Sequence, residues 1–179
     1  MAKEGERTAG AAFLAATEDA GGRLFAELHA PVFRYVHRMT GDPDVAADIV
    51  QDAFVRLYLR GGGLPDDARP WLFRVAGNLV RDRARRSATV VRFAHATDRV
   101  AADPPATPDE AYERSEQVRE VRQALDRLRP RDRRILLMRE EGFSYEEIGQ
   151  VLGVGRRSVP TLVMRALRRF REAYQNEAR

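Results

Sequence analysis

One group of side chains in this 179-residue sequence has the types and spacing needed to bind a nucleic-acid strand. Trp71, Arg74, Asn78, Arg81 and Arg85 follow steps of three or four residues, so they share one ridge if the segment is helical. An aromatic ring stacks on unpaired bases, and guanidinium groups pair with phosphates. The ridge predicts contact with a single strand, although Trp71 alone fits a place in the hydrophobic core equally well.

A second group is acidic. Asp48, Gln51 and Asp52 lie at positions i, i+3 and i+4, which places them on one face of a helix. A solvated surface is the ordinary explanation for such a face. The alternative is a docking surface for a basic protein partner.

Catalytic chemistry finds no support in the sequence. There is no cysteine, which excludes disulfides, thiolate metal sites and cysteine nucleophiles. The three histidines, His29, His37 and His95, are too scattered for a metal site, and no nucleophile stands beside a plausible base. We therefore expect no enzymatic activity, no metal and no cofactor.

The charges are unevenly distributed along the chain. The 31 basic and 27 acidic residues give a net charge of only +4, and Lys3 is the only lysine. An arginine-biased genome and a functional role explain the preference for arginine equally well. Genome bias does not explain why acidic residues concentrate at 42–52 and basic ones at 81–86 and 165–171. The polar N-terminus and the lack of a long apolar run predict a cytoplasmic protein without membrane insertion.

Hydrophobic periodicity predicts an all-α protein of two small helical domains, 1–87 and 112–179, joined by a flexible linker over 88–111. In the first domain, Asp42 caps a helix that begins at Pro43, and the glycines at 61–63 end it. The predicted helices are one around 24–36, one from 43, one at 71–86, and, after the linker, helices at 112–128, 130–141, 144–152 and 158–174.

The segment 142–155 predicts a helix-turn-helix. Ser144 and Glu147 have the spacing of a capping box, Ile148 and Leu152 face a core, and Gly153 permits a tight turn. The second helix of such a motif enters the DNA major groove. An ordinary helical hairpin is the alternative.

In the order of its features the chain resembles bacterial RNA polymerase sigma factors of the extracytoplasmic-function group. The resemblance covers about 24–87 and 112–174. DPDVAADIVQDAF at 42–54 resembles the family's polymerase-binding helix, and RPWLFRVAGNLVRD at 69–82 its minus-ten-reading helix. LDRLRPRDRR at 125–134 followed by GFSYEEI at 142–148 resembles the module that reads the minus-thirty-five element.

The resemblance implies a promoter-specificity factor that binds core RNA polymerase, opens promoter DNA and directs initiation, as a monomer away from polymerase and under a possible anti-sigma factor. A two-module DNA-binding regulator that never engages polymerase is the alternative. The implied polymerase-binding residues are Asp48, Gln51, Asp52 and Phe54; the minus-ten residues are Trp71, Arg74, Asn78, Arg81 and Arg85; the minus-thirty-five residues are Arg156, Arg157, Ser158, Thr161, Leu162 and Arg165.

The recognition helix departs from the family pattern at Pro160 and Leu162, which donate no hydrogen bond. Because proline disrupts a helix interior, we predict that Ser158 caps this helix and that Pro160 lies in its first turn. Arg156 and Arg157 then precede the helix as phosphate contacts. Leu162 is predicted either to touch a thymine methyl group or to belong to a protein-binding surface.

Overall fold

The computed structural model describes the backbone of residues 2–60, 64–90 and 108–177, and the side chains of 21–60, 64–86 and 117–176. These parts of the chain form α-helices and one short 3₁₀-helix, and they contain no strand. The elements are α1 (Ala2–Thr40), α2 (Pro43–Leu59), α3 (Ala68–Val90), α4 (Pro108–Asp126), α5 (Pro130–Glu140), α6 (Tyr145–Leu152), the 3₁₀-helix Arg156–Ser158 and α7 (Val159–Glu177).

The first module consists of α1, α2 and α3. The side chain of Asp42 accepts hydrogen bonds from the backbone N–H groups of Asp44 and Val45, so α2 begins where the sequence predicts. Each helix turns an apolar stripe inward, because burial of these side chains is the main source of helix stability in a short bundle. The fully buried side chains of this core include Val32, Tyr35, Val36, Val50, Leu57, Leu72 and Phe73.

The second module consists of α4 to α7, with the helix-turn-helix in α6 and α7. Ser144 and Glu147 form the predicted capping box, and Gly153 ends α6 in the left-handed conformation at φ 66°. At Gly149 a Cβ atom would stand 2.8 Å from the carbonyl oxygen of Val154, so the turn returns closely over α6. The start of α7 at Val159 confirms that Pro160 lies in the first turn, where its missing N–H costs little.

The all-α prediction is confirmed, with shifts at helix ends. The third helix extends over 68–90 instead of 71–86, and the fourth begins at 108, inside the predicted linker. The rest of that linker, 91–107, lies outside the described residues. Ser158 ends the 3₁₀-helix instead of standing alone as a cap.

The two modules pack against each other through one continuous hydrophobic core. The rings of Phe73 in α3 and Phe143 before α6 lie with centroids 4.4 Å apart, and both are fully buried. Helix α5 contacts α1 of the first module and α7 of the second, and its Ile135, Leu137 and Met138 are all buried. The sequence analysis predicts two domains joined by a flexible linker and does not include this close contact.

Candidate nucleic-acid and protein interfaces

The acidic face of α2 is exposed but partly neutralised. Asp48 lies 3.6 Å from Arg83 of α3, and its side chain is 69% exposed. Asp52 accepts two hydrogen bonds from Arg56 at 2.9 and 3.0 Å. Gln51 is exposed between them. The structure therefore presents these three side chains to solvent together, with arginines at the edges.

Phe54 does not belong to this surface. Its exposed fraction is 3%, and its ring packs against Phe25 at a centroid distance of 4.9 Å. The ring therefore has no direct access to a partner, because Phe54 lies on the apolar stripe of α2. The apolar residues that do continue the exposed face are Val55, 45% exposed, and Leu59, 80% exposed. Sequence reasoning missed them, although both follow Asp48 at helical spacing.

The ridge on α3 forms as predicted. Arg74, Asn78, Arg81 and Arg85 are all exposed along one side of the helix. Trp71, at the start of the ridge, is half-buried and packs against the core.

The half-buried Trp71 ring has an arginine over one face. The guanidinium carbon of Arg60 lies 5.6 Å from the ring centroid. At this range the interaction is a weak cation–π contact. The structure therefore confirms the packing of Trp71 against the core, while its part in strand binding stays a prediction.

The α3 ridge faces the second module across a cleft of about 620 Å³. From the first module the cleft is lined by Arg74, Asn78 and Arg81, and the opposite wall includes Arg131 and Gln150. None of the residues that line it is acidic. Three of the five predicted strand-binding residues therefore line the cleft, and the second module forms its other wall.

A buried arginine holds the two modules together. Nε of Arg134 in α5 donates a hydrogen bond of 3.0 Å to the hydroxyl group of Tyr35 in α1. Burial raises the pKa of Tyr35, and the positive charge of Arg134 opposes that rise. The guanidinium group also lies where a side chain on Gly77 would be, since a Cβ atom there would stand 2.5 Å from Nη2. Gly77 therefore makes room for Arg134.

Ion pairs surround this buried contact. Arg34 donates to both carboxylate oxygens of Glu141, at 3.1 and 2.7 Å, which raises the pKa of Arg34. Arg69 donates to Glu147 at 3.0 Å, and its guanidinium carbon lies 4.1 Å from the ring centroid of Phe143. Bidentate and stacked geometry of this kind is specific to arginine. The interface is therefore both apolar and charge-paired.

The residues of this interface were missed by sequence reasoning, but one signal for them exists. The run from Ile135 to Met138 is apolar at four successive positions, so it covers more than one face of α5. A helix that is apolar on several sides is buried on several sides. The run thus indicates that α5 packs against more than its own module.

The helix-turn-helix presents most of its predicted DNA-binding residues to solvent. Arg156, Arg157, Ser158, Thr161 and Arg165 are exposed. Arg156 lies 3.9 Å from Glu146, a loose ion pair that leaves its side chain 73% exposed.

Leu162 is placed differently. It is only partly exposed and packs against the core, because it stands three residues after Val159 on the inward stripe of α7. The residues that share the exposed face of Thr161 are Met164 and Arg168, which sequence reasoning did not select.

No helix in the described ranges has both the length and the apolar character needed to cross a membrane.

The fold and these surfaces define a two-module helical protein with a helix-turn-helix in its second module. Residues 24–90 match the family model for Sigma-70 region 2, and residues 118–170 match that for Sigma-70 region 4. The chain is 34% identical over 175 residues to the ECF RNA polymerase sigma factor SigL of Mycobacterium tuberculosis, covering 90% of this chain and 93% of SigL. The chain belongs to the ECF group of RNA polymerase sigma factors.

Other comparisons agree with this assignment. The chain is 33% identical over 145 residues to the ECF RNA polymerase sigma factor SigE of Mycolicibacterium smegmatis, with 79% of this chain covered but only 56% of SigE. Its fold resembles that of the sigma factor RpoE in complex with the anti-sigma factor NepR from Bartonella quintana, with a TM-score of 0.65, 20% identity and coverage of 88% and 98%. It also resembles CnrH in complex with the cytosolic domain of CnrY, with a TM-score of 0.64, 23% identity and coverage of 89% and 90%. These matches favour a sigma factor over a regulator that does not engage polymerase.

Proposed function

We propose that this protein is a promoter-specificity subunit that binds core RNA polymerase in the cytoplasm, recognises promoter DNA and opens it. The observation that carries the proposal is the order of the two matched modules, sigma region 2 at 24–90 followed by region 4 at 118–170. It acts by binding and not by catalysis, since selective capture of an unpaired strand shifts a duplex towards opening.

The exposed face of α2 is the proposed polymerase-binding surface. Asp48, Gln51 and Asp52 provide two carboxylates and an amide in successive turns, and Val55 and Leu59 extend the face with apolar area. Such a face fits an amphipathic helix that carries basic residues. Arg56 and Arg83 pair with the carboxylates in the free protein, so they must yield to the basic groups of polymerase on binding.

The proposed DNA-binding surfaces lie on α3 and α7. On α3, Trp71 provides an aromatic face, and Arg74, Asn78, Arg81 and Arg85 follow one line that suits an unpaired minus-ten strand. On the second module, the exposed Arg156, Arg157 and Arg165 are the proposed contacts to phosphates of the minus-thirty-five element.

Reading both elements requires the two modules to separate. The minus-ten and minus-thirty-five elements are about 25 base pairs apart, which is about 85 Å of duplex at 3.4 Å per base pair. In the described structure α3 and α6 are in direct contact across the buried ring pair of Phe73 and Phe143. We infer that polymerase binds a rearranged form in which this contact is broken.

A protein antagonist is part of the proposal. The resemblance to RpoE, which is bound to the anti-sigma factor NepR in its structure, supports it at the level of the fold. An antagonist that binds both modules in their packed arrangement would prevent their separation.

The first experiment measures binding of the purified protein to core bacterial RNA polymerase. The test variant combines Asp48→Ala, Gln51→Ala and Asp52→Ala. The matched control combines Glu27→Ala, Asp66→Ala and Gln123→Ala, which removes the same charge and one amide from exposed positions elsewhere.

We expect the wild type and the control to bind with equal affinity, and the test variant to bind at least tenfold more weakly. Failure of the wild-type protein to bind core polymerase would contradict the proposed function. Equal binding by the test variant would show that the three substituted side chains do not contribute to polymerase binding, while the sigma assignment would stand.

A further inference from the structure

Helix α7 has two distinct sides. Val159, Val163 and Ala166 are buried against the rest of the second module. Thr161, Met164, Arg165 and Arg168 are exposed on the other side, at helical spacings of three, four and seven residues from Thr161. This is the side that a helix-turn-helix presents to the major groove.

Met164 is the apolar member of this exposed side. It is 67% exposed, and among the large hydrophobic side chains of the described residues only Leu59 is more exposed. It lies in the second turn of α7, about 7.5 Å along the axis from Val159 at 1.5 Å per residue. The first turns of a recognition helix are the ones that reach base edges.

The chemistry of Met164 restricts what it can recognise. A thioether offers no hydrogen-bond donor, so it cannot pair with a phosphate or with the acceptor atoms of guanine. Contact between a flexible apolar side chain and another apolar group is favourable, because it removes both surfaces from water. In the major groove the C5 methyl group of thymine is the apolar group on a base edge.

The neighbours of Met164 are suited to hold the helix at the groove. Arg165 and Arg168 are exposed beside it, and Nε of Arg168 lies 3.6 Å from a carboxylate oxygen of Glu172, one turn later. Guanidinium groups suit contact with phosphates at the edge of a groove that a helix enters. Met164 shares the exposed side of the helix with them.

We propose that Met164 is a specificity-determining residue, which reads a thymine in the minus-thirty-five element through its C5 methyl group. The inference rests on the proposed function, because it requires α7 to enter promoter DNA. It assigns the apolar contact to Met164, whereas Leu162, the residue selected from sequence, packs towards the core.

The test uses the full-length chain bound to core polymerase. A pool of promoter duplexes with a randomised minus-thirty-five region is first selected for binding by the wild-type holoenzyme. Each thymine in the selected element is then replaced by uracil, which removes the methyl group and keeps every hydrogen-bonding atom. Affinities are compared for the wild type, for Met164→Ala, and for the control Leu167→Ala, which removes an apolar side chain that is 43% exposed on another side of α7.

We expect one thymine at which uracil weakens wild-type binding about fourfold, the ratio that corresponds to about 0.8 kcal/mol for one buried methyl group. Met164→Ala should bind thymine and uracil duplexes equally at that position. Leu167→Ala should retain the fourfold difference.

Two results would overturn the inference without affecting the proposed function. One is selection of a defined element in which no thymine responds to uracil, and the other is a uracil effect that persists in Met164→Ala. Either would show that Met164 does not read a thymine methyl group. If the wild-type protein binds core polymerase but the resulting holoenzyme selects no sequence, promoter recognition itself is refuted, and the inference with it.

Discussion

The Nε atom of Arg134 donates a 3.0 Å hydrogen bond to the hydroxyl group of Tyr35, and this pair joins α5 of the second module to α1 of the first. Both residues are buried, with exposed fractions of 5% and 0%. Burying a charged donor is costly unless it has an acceptor. The pair is therefore a sensitive point in the contact between the modules.

Replacement of Tyr35 by phenylalanine should destabilise the protein. The ring and its packing against Phe73 are kept, but the buried guanidinium group loses its acceptor, at a cost of about 1–3 kcal/mol. Urea denaturation measures this loss. The control is Tyr145→Phe at an exposed position, which should change the unfolding free energy by less than about 0.5 kcal/mol. Equal effects of the two variants would contradict the importance of the Tyr35 hydroxyl group.

Gly77→Ala should also be destabilising, although alanine is the better helix former. A Cβ atom at this position would lie 2.5 Å from Nη2 of Arg134, so the guanidinium group must move. We expect a net loss of about 1–2 kcal/mol, since overpacking costs more than the gain in helix propensity. Gly22→Ala, at an exposed helical site with no atom within 4 Å, should instead stabilise by up to about 1 kcal/mol.

The effect of Gly77→Ala should depend on Arg134. In an Arg134→Met background the displaced group is absent, so adding the alanine should be neutral or stabilising. A double-mutant cycle in urea measures this coupling, which we expect to reach about 1 kcal/mol or more. Additive effects of Gly77→Ala and Arg134→Met would show that Gly77→Ala destabilises the protein for a reason other than the clash with Arg134.

A charge exchange tests the ion pairs at the edge of the interface. Glu141→Arg places two arginines together where Arg34 now donates to both carboxylate oxygens, and it should lower the unfolding free energy by about 1 kcal/mol or more. The radius of gyration from small-angle scattering should rise above that of the wild type. Adding Arg34→Glu should restore both quantities in part. An unchanged radius of gyration in Glu141→Arg would contradict a role of this pair in holding the modules together.

The capping box predicts a dependence of stability on acid. Burial alone would raise the pKa of Glu147, but hydrogen bonds from Ser144 and the charge of Arg69 outweigh burial and lower it. The folded pKa is thus below the unfolded one, so the stabilisation is complete above about pH 4.3 and is lost as the pH falls through the lowered value.

Glu147→Gln should therefore flatten the decline in stability below about pH 4.3, and thermal unfolding at several pH values measures it. Glu146→Gln removes a charge from the same turn and should leave the decline unchanged. A parallel decline in both variants would mean that Glu147 is not the responsible group.

Much of the fold could be predicted from local patterns. The capping box at Ser144, the cap at Asp42 and the position of Pro160 all follow from rules that act within one helical turn, and the structure bears them out. The exposed arginines of α3 were predicted for the same reason, because their spacing fixes a common face. Local rules suffice wherever the partners are near in sequence.

The contact between the modules could not be predicted in this way. Tyr35 and Arg134 are 99 residues apart, and nothing near either residue indicates its partner. Phe54 and Leu162 show a related limit, since the sequence pattern assigns both to proposed interfaces while their side chains turn inward. The family pattern identifies a helix, but the side of that helix is decided by packing.

The buried pair of Arg134 and Tyr35 has a consequence for promoter affinity. If only separated modules bind an extended promoter, the apparent affinity is the intrinsic affinity multiplied by the fraction of molecules that are open. Each tenfold excess of the closed form then weakens promoter binding about tenfold, or about 1.4 kcal/mol. Variants that loosen the contact but still fold should therefore bind promoters more tightly than the wild type, although no group that touches DNA has changed.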